Sequence, residues 1–147
     1  MPQAADVLAY PIPTYRFRVT VGQSEIAFSG VSGLEMGVDT IEYKDGKGGV
    51  LHMPGQKQAI NITLKRGVFK NDDKLYKWMK SIMDNQMDKR DIQISLTNET
   101  GTELLVTWNV AKAFPTKLTA PSFDATSNEI AVEELTLTAD RLSVEFH

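Results

Sequence analysis

The stretch 41-IEYKDGKGGVLHMPGQKQAINITLKRG-67 reads as one strand, a long glycine-bearing excursion and a second strand. The second strand has the clearest alternation in the chain: Ile60, Ile62 and Leu64 point one way, Asn61, Thr63 and Lys65 the other. One of its faces is therefore buried, and the other is wet or meets a partner. The excursion comprises Lys44, Asp45, Gly46, Lys47, Gly48, Gly49, Val50, Leu51, His52, Met53, Pro54, Gly55 and Gln56. Its four glycines and one proline make it too long for a two-residue hairpin turn, yet it carries Val50, Leu51 and Met53. Long structured loops bearing apolar side chains usually touch something, so segment 44–57 is read as a protruding loop that reaches out from the domain.

Working outward, Tyr15, Phe17, Val19 and Val21 alternate with Arg16, Arg18 and Thr20, giving a strand with one apolar and one cationic face. Before it, residues 1–13 end in Tyr10-Pro11-Ile12-Pro13, whose prolines enforce an extended approach. After Gly67 the period changes. Leu75, Trp78, Met79, Ile82 and Met83 form one stripe of a helix of about three turns, with Asn71 or Asp72 as its cap and Asn85 as its left-handed stop. Core packing accounts for that stripe better than a ligand pocket does. Ile92, Ile94 and Leu96, then Leu104, Val106, Trp108 and Val110, make a hairpin around Asn98-Glu99-Thr100-Gly101, which Phe114-Pro115 is expected to end. The last run carries Leu135, Leu137 and Ala139, then Leu142, Val144 and Phe146, and the change of parity at Asp140-Arg141 predicts a bulge or bend. Roughly seven strands and one amphipathic helix predict a mostly β (α+β) fold, one barrel or sandwich domain over 1–147 with the helix packed on it.

The chain has 147 residues, enough for one domain with its own core. It has no cysteine, which excludes disulfides, thiolate metal sites and thiol catalysis. Sixteen basic and nineteen acidic residues give a net charge of −3, not the balance of a general nucleic-acid binder. The charge is unevenly spread. Lys44–Lys80 holds nine bases and three acids, and Glu99–His147 holds eight acids and three bases. The two regions either neutralise each other within the fold or lie at opposite ends, where they attract copies head to tail. No signal-peptide pattern or membrane-length apolar run occurs, so a soluble protein made in the cytoplasm is expected, one that leaves the cell, if at all, without a cleaved signal.

Chemistry finds little support. His52 lacks a nucleophile partner and His147 is terminal. Asp45-Gly46-Lys47-Gly48-Gly49 lacks phosphate-loop spacing and does not open a helix. Asp84, Asp88 and Asp91 lack the glycine of a calcium loop and read as solvated. Glu133 and Glu134 point to opposite faces of a strand, unlike a proton-sharing pair. Arg16 and Arg18 beside Tyr15 and Phe17 suggest a single-strand-binding platform, but the aromatics lie on the other face from the arginines. No cofactor or metal is expected.

Together, Tyr10-Pro11-Ile12-Pro13-Thr14-Tyr15-Arg16-Phe17, Ile41-Glu42-Tyr43-Lys44-Asp45-Gly46, Met53-Pro54-Gly55-Gln56, Ile62-Thr63-Leu64-Lys65-Arg66-Gly67 and the tail from Phe114-Pro115-Thr116 to Arg141 resemble an inner tube protein. The similarity is to contractile phage tail tubes, and most closely to the tubes of extracellular contractile injection systems of the antifeeding-prophage and virulence-cassette type. The resemblance implies hexameric rings that stack head to tail into a hollow tube inside a sheath. It also implies sheath and baseplate or hub proteins as partners, a lumen able to hold cargo, and a role for residues 44–56 as the arm contacting the adjacent ring. A baseplate-proximal tube paralogue and a monomeric β-barrel binding module are the alternatives.

Overall fold

The structure, a computed structural model, describes residues 16–147. The prolines of the amino-terminal approach, Tyr15 and the expectation for 1–13 lie outside the described residues.

The first strands are β1 (Phe17–Val21), β2 (Ser24–Ile26) and β3 (Gly30–Ser32). They are followed by β4 (Val38–Lys44), β5 (Val50–Lys57) and β6 (Ile60–Gly67). After helix α1 (Lys74–Met83) come β7 (Arg90–Thr97), β8 (Leu104–Thr119), β9 (Val132–Ala139) and β10 (Arg141–Phe146). A mostly β fold with one helix among the described residues is what the alternation predicts. The strands number ten among the described residues, more than the expected seven, because Gly30–Ser32 and Val50–Lys57 are strands and not breaks and the last run is divided into β9 and β10.

Strand β8 joins two sheets. Its first part pairs antiparallel with β7 on one side and β10 on the other; its last part, Phe114–Thr119, pairs with β9. The order is β2-β1-β7-β8-β9-β6-β3, with β10 alongside β8. Phe114-Pro115 therefore does not end the strand. Pro115 is buried opposite Leu137 and the register slips between Pro115 and Lys117, so its missing N–H falls at an irregularity where the ladder asks for none. The sheet turns just before, at Lys112 (φ 54), whose N–H donates to Asp91 Oδ1 at 3.0 Å. The predicted bend at Asp140-Arg141 separates β9 from β10.

The apolar faces of the two halves meet. Val19, Val21, Ile92, Ile94 and Val110 pack with Ile62, Leu64, Leu135 and Leu137, and α1 adds Leu75 and Trp78. Trp78 is fixed twice more: its indole N–H donates to the Asp88 carbonyl at 2.8 Å, and the Arg90 guanidinium lies over its ring at 4.6 Å. Met83, by contrast, is exposed at the helix end. The cap of α1 differs from expectation. Asp73 occupies the N-cap without a side-chain bond, while Asp72, besides binding Arg66, accepts the Lys74 N–H of the first turn at 3.4 Å. Asn85 does take the left-handed conformation that stops the helix (φ 62). No helix among the described residues is long and apolar enough to cross a membrane.

Candidate functional site

Residues 44–57 do not form a loop. Among the described residues, strands β4 and β5 pair only with each other, as a two-stranded sheet apart from the eight-stranded one, joined by the short turn Asp45–Gly49. The alternation of β5 was hidden because Val50-Leu51 and Met53-Pro54-Gly55 interrupt the two-residue period that marks a half-buried strand. The turn is held by one side chain: Asp45 Oδ1 accepts the N–H groups of Lys47 (2.9 Å) and Gly49 (2.8 Å). Gly48 supplies a positive φ of 88°. Two N–H groups that a phosphate cradle needs are thus already satisfied, which removes the chemistry suggested by the glycine–lysine composition.

Directly opposed residues of an antiparallel pair share a face. Ile41 opposes Met53 and Tyr43 opposes Leu51, so one face of the hairpin is an apolar square. Glu42 opposes His52, Thr40 opposes Pro54 and Lys44 opposes Val50 on the other. All four side chains of the square are about half exposed, between 48% and 58%. An isolated two-stranded ribbon with an uncovered apolar face is marginal in water. Of the predicted residues, the structure therefore brings Leu51 and Met53 together with Ile41 and Tyr43, and sets His52 on the opposite face beside Glu42. Ile41 and Tyr43 fall outside the segment that the sequence singles out, because they read as the strand leading into it.

A second surface lies on the eight-stranded sheet itself. Across β2, β1, β7, β8 and β10, one row runs Glu25, Thr20, Gln93, Asn109, Ser143, and the next Arg18, Ser95, Thr107, Glu145. The opposite face of the same strands supplies the core. This face is made of hydroxyls, amides and balanced charge: Arg18 meets Glu25 at 3.3 Å, and Ser95 and Thr107 share a hydrogen bond at 2.9 Å. His147 Nε2 joins Thr107 Oγ1 at 2.9 Å, so the terminal imidazole closes a polar row rather than standing alone. The two hydroxyls are buried and spent on each other and on His147, a poor arrangement for a nucleophile. Among the described residues, β2 pairs only with β1 and β10 only with β8, leaving both margins of this half of the sheet open; β3, paired only with β6, is an edge of the other half.

Charged clusters elsewhere hold the scaffold. Buried Arg66 donates through Nε to Glu133 (2.9 Å) and through NH1 and NH2 to both oxygens of Asp72 (3.1 Å each). Those bonds hold the Asp72 carboxyl below the usual carboxylate range, burial opposing. Asp88 is likewise lowered, first by its hydrogen bond from Arg90, so it is a structural ion-pair member and not merely solvated. The described residues contain no group of His, Asp and Glu able to hold a metal.

The family model for the T4-like virus tail tube protein gp19 matches residues 13–143. The chain belongs to that family. Tail tube proteins are structural tube subunits, in keeping with a surface that offers assembly faces. A chain of the PVC sheath–tube complex in the extended state, an extracellular contractile injection system, is 55% identical with a TM-score of 0.92, and each chain covers 100% of the other. A chain of the anti-feeding prophage cap, which terminates that tube, is 57% identical with a TM-score of 0.90, again covering 100% of both chains. A chain of the anti-feeding prophage baseplate shares the fold (TM-score 0.85) at 21% identity, over 94% of this chain and 97% of that one. No curated protein matches the chain.

Proposed function

We propose that this tail tube protein forms hexameric rings that stack head to tail into the hollow inner tube of an extracellular contractile injection system, driven through a target envelope by sheath contraction. The observation that carries the reading is, among the described residues, the combination of an amphipathic half-sheet open at both margins with a detached hairpin whose apolar face is uncovered. Joining β10 of one copy edge to edge with the β2–β1 side of the next closes a barrel. Its outer face is already covered by β6, β9 and α1, so the face bearing Thr20, Gln93, Asn109 and Ser143 turns inward and lines the channel. Six copies of four long strands at about 4.8 Å spacing give a backbone diameter of about 37 Å, more as the strands tilt. The lining is near neutral and hydroxyl-rich, suited to conducting cargo without holding it.

On this reading the hairpin, residues 44–56 together with Ile41 and Tyr43, is the arm that contacts the adjacent ring. Sheath and baseplate or hub proteins are the other partners, and no residue performs catalysis or binds nucleic acid. The chain is made in the cytoplasm and released within the particle. Identity of more than half to chains of a sheath–tube complex and a tube cap, against about a fifth to a baseplate chain, favours the bulk tube over its baseplate-proximal paralogue.

Electron microscopy and sedimentation of the purified protein over a range of concentrations test the reading. Rings with a central hole, alone or stacked, are the expected result, and a species that stays monomeric at every concentration overturns it. The double variant Tyr43→Asp/Leu51→Asp should keep the monomer's thermal transition and lose the stacks, since both side chains are exposed in the isolated fold. Tubes of normal length from that variant would remove the hairpin's role.

A further inference from the structure

The hairpin leaves the main sheet where β6 begins: Gln58 N–H donates to the Gly37 carbonyl at 2.9 Å, two residues before Ile60. At the far end of β6 lies a second uncovered apolar surface. There the β6–α1 and β8–β9 connections meet. Val68 N–H donates to the Ala131 carbonyl at 3.0 Å, and Gly67 opposes Val132. A side chain placed at Gly67 would stand 3.9 Å from Ile130 Cγ2 and 4.0 Å from the Phe69 ring, so these two apolar groups flank one spot. Phe69 and Ile130 are 60% and 81% exposed, and Val68 beside them is exposed as well.

Eight residues of β6, at about 3.3 Å each, put roughly 25 Å between the two surfaces. Both are apolar, and they stand at opposite ends of one strand. Neither can cover the other within a chain, whereas a copy displaced along the strand covers both at once, and repeats without closing. Charge agrees with that pairing. The hairpin turn carries Lys44 and Lys47 against one acid, Asp45, while the connection 120–131 carries Asp124 and Glu129 and no base.

We propose that the surface built by Val68, Phe69 and Ile130 is the receptor for the apolar face of the hairpin from a second copy of this chain, in the neighbouring ring. The assignment rests on the stacked-ring reading and adds the receiving side of the contact. It makes the inter-ring joint a heterologous apolar plug with a salt-sensitive rim.

The absence of cysteine from the sequence makes the test clean. Leu51→Cys is mixed in equal amounts with Ile130→Cys, or with Phe69→Cys, assembled, and oxidised mildly. The expected product is a covalent dimer in the mixtures and not from any variant alone. Ile130→Asp, whose exposed side chain spares the fold, should lower the sedimenting tube fraction at least tenfold with the monomer's thermal transition unchanged. Tubes that form normally from Ile130→Asp overturn the receptor assignment, and so does a dimer formed by Leu51→Cys alone, which would mean hairpin meeting hairpin. Those results leave the tube standing. If the parent chain makes neither rings nor stacks, the stacked-ring reading falls, and the receptor with it.

Discussion

Removing Arg66 is the sharpest test of what holds the barrel's helical side in place. Its side chain is 3% exposed and gives three charge-assisted hydrogen bonds, one to Glu133 on β9 and two to Asp72 at the approach to α1. Arg66→Ala deletes all three and leaves two carboxylates facing an emptied site. Breaking a buried pair by removing one partner costs about 3–5 kcal/mol. Asp72 and Glu133 are 29% and 18% exposed and regain some water, so about 3 kcal/mol is expected. For a chain of this size that lowers the melting temperature by roughly 10 °C. Arg66→Lys keeps the charge but cannot supply the planar fork, and should lose about 1–2 kcal/mol. The effect has a pH signature. The Asp72 carboxyl is lowered from 3.8 chiefly by Arg66, so its contribution is present above that value and lost as pH falls through the lower folded value. The gap between wild type and Arg66→Ala should therefore narrow below about pH 4. Asp88, lowered in the same direction by Arg90, is retained in both proteins and does not alter the difference. Urea denaturation followed by tryptophan fluorescence, at concentrations that keep the chain monomeric, measures it at neutral and acid pH. A loss below about 1 kcal/mol at pH 7, or one undiminished in acid, would refute the reasoning.

Gly33→Ala should be severe. Its φ is 88°, and the added Cβ runs into the Asn61 carbonyl oxygen and comes within 3.2 Å of Ile62 Cα, both backbone atoms that cannot swing aside. A loss of at least about 2 kcal/mol in the same urea titration is expected, whereas Gly22→Ala, at φ 63° with nothing within 4 Å, should cost only about 1 kcal/mol. Ser95→Ala leaves the buried Thr107 hydroxyl with His147 as its remaining side-chain partner and should cost about 1–2 kcal/mol, while Ser95→Ala/Thr107→Val, which removes both ends, should cost less than the single change. Equal or additive losses in that pair would count against the shared bond.

Strands and helix were largely legible because their signal is local. Ile62 and Leu64 are fully buried, as their alternation requires, and Leu75 and Trp78 lie on the stripe that the helical period marks. The hairpin was harder. Among the described residues, Val50–Lys57 pairs only with Val38–Lys44 and has no fully buried residue, so no two-residue burial pattern was imposed on it and the glycines and proline dominated the reading. The passage of β8 through Pro115 was hidden for a related reason, since a proline normally ends a ladder and only the slip in register beside it makes room.

Local sequence was enough to indicate a mostly β chain with one amphipathic helix and to draw attention to residues 44–56. It did so because periodicity, turn chemistry and charge are properties of neighbouring residues. Three facts emerge only from the fold: residues 38–57 form a ribbon with one apolar face, Arg66 is clasped by Asp72 and Glu133, and Phe69 and Ile130 flank one spot beside Gly67. Each of those facts depends on which strand edge finds which partner, and for Arg66 with Glu133 the partners lie 67 residues apart. Such pairings are selected by the summed burial of the whole core, and no short stretch of sequence carries that sum.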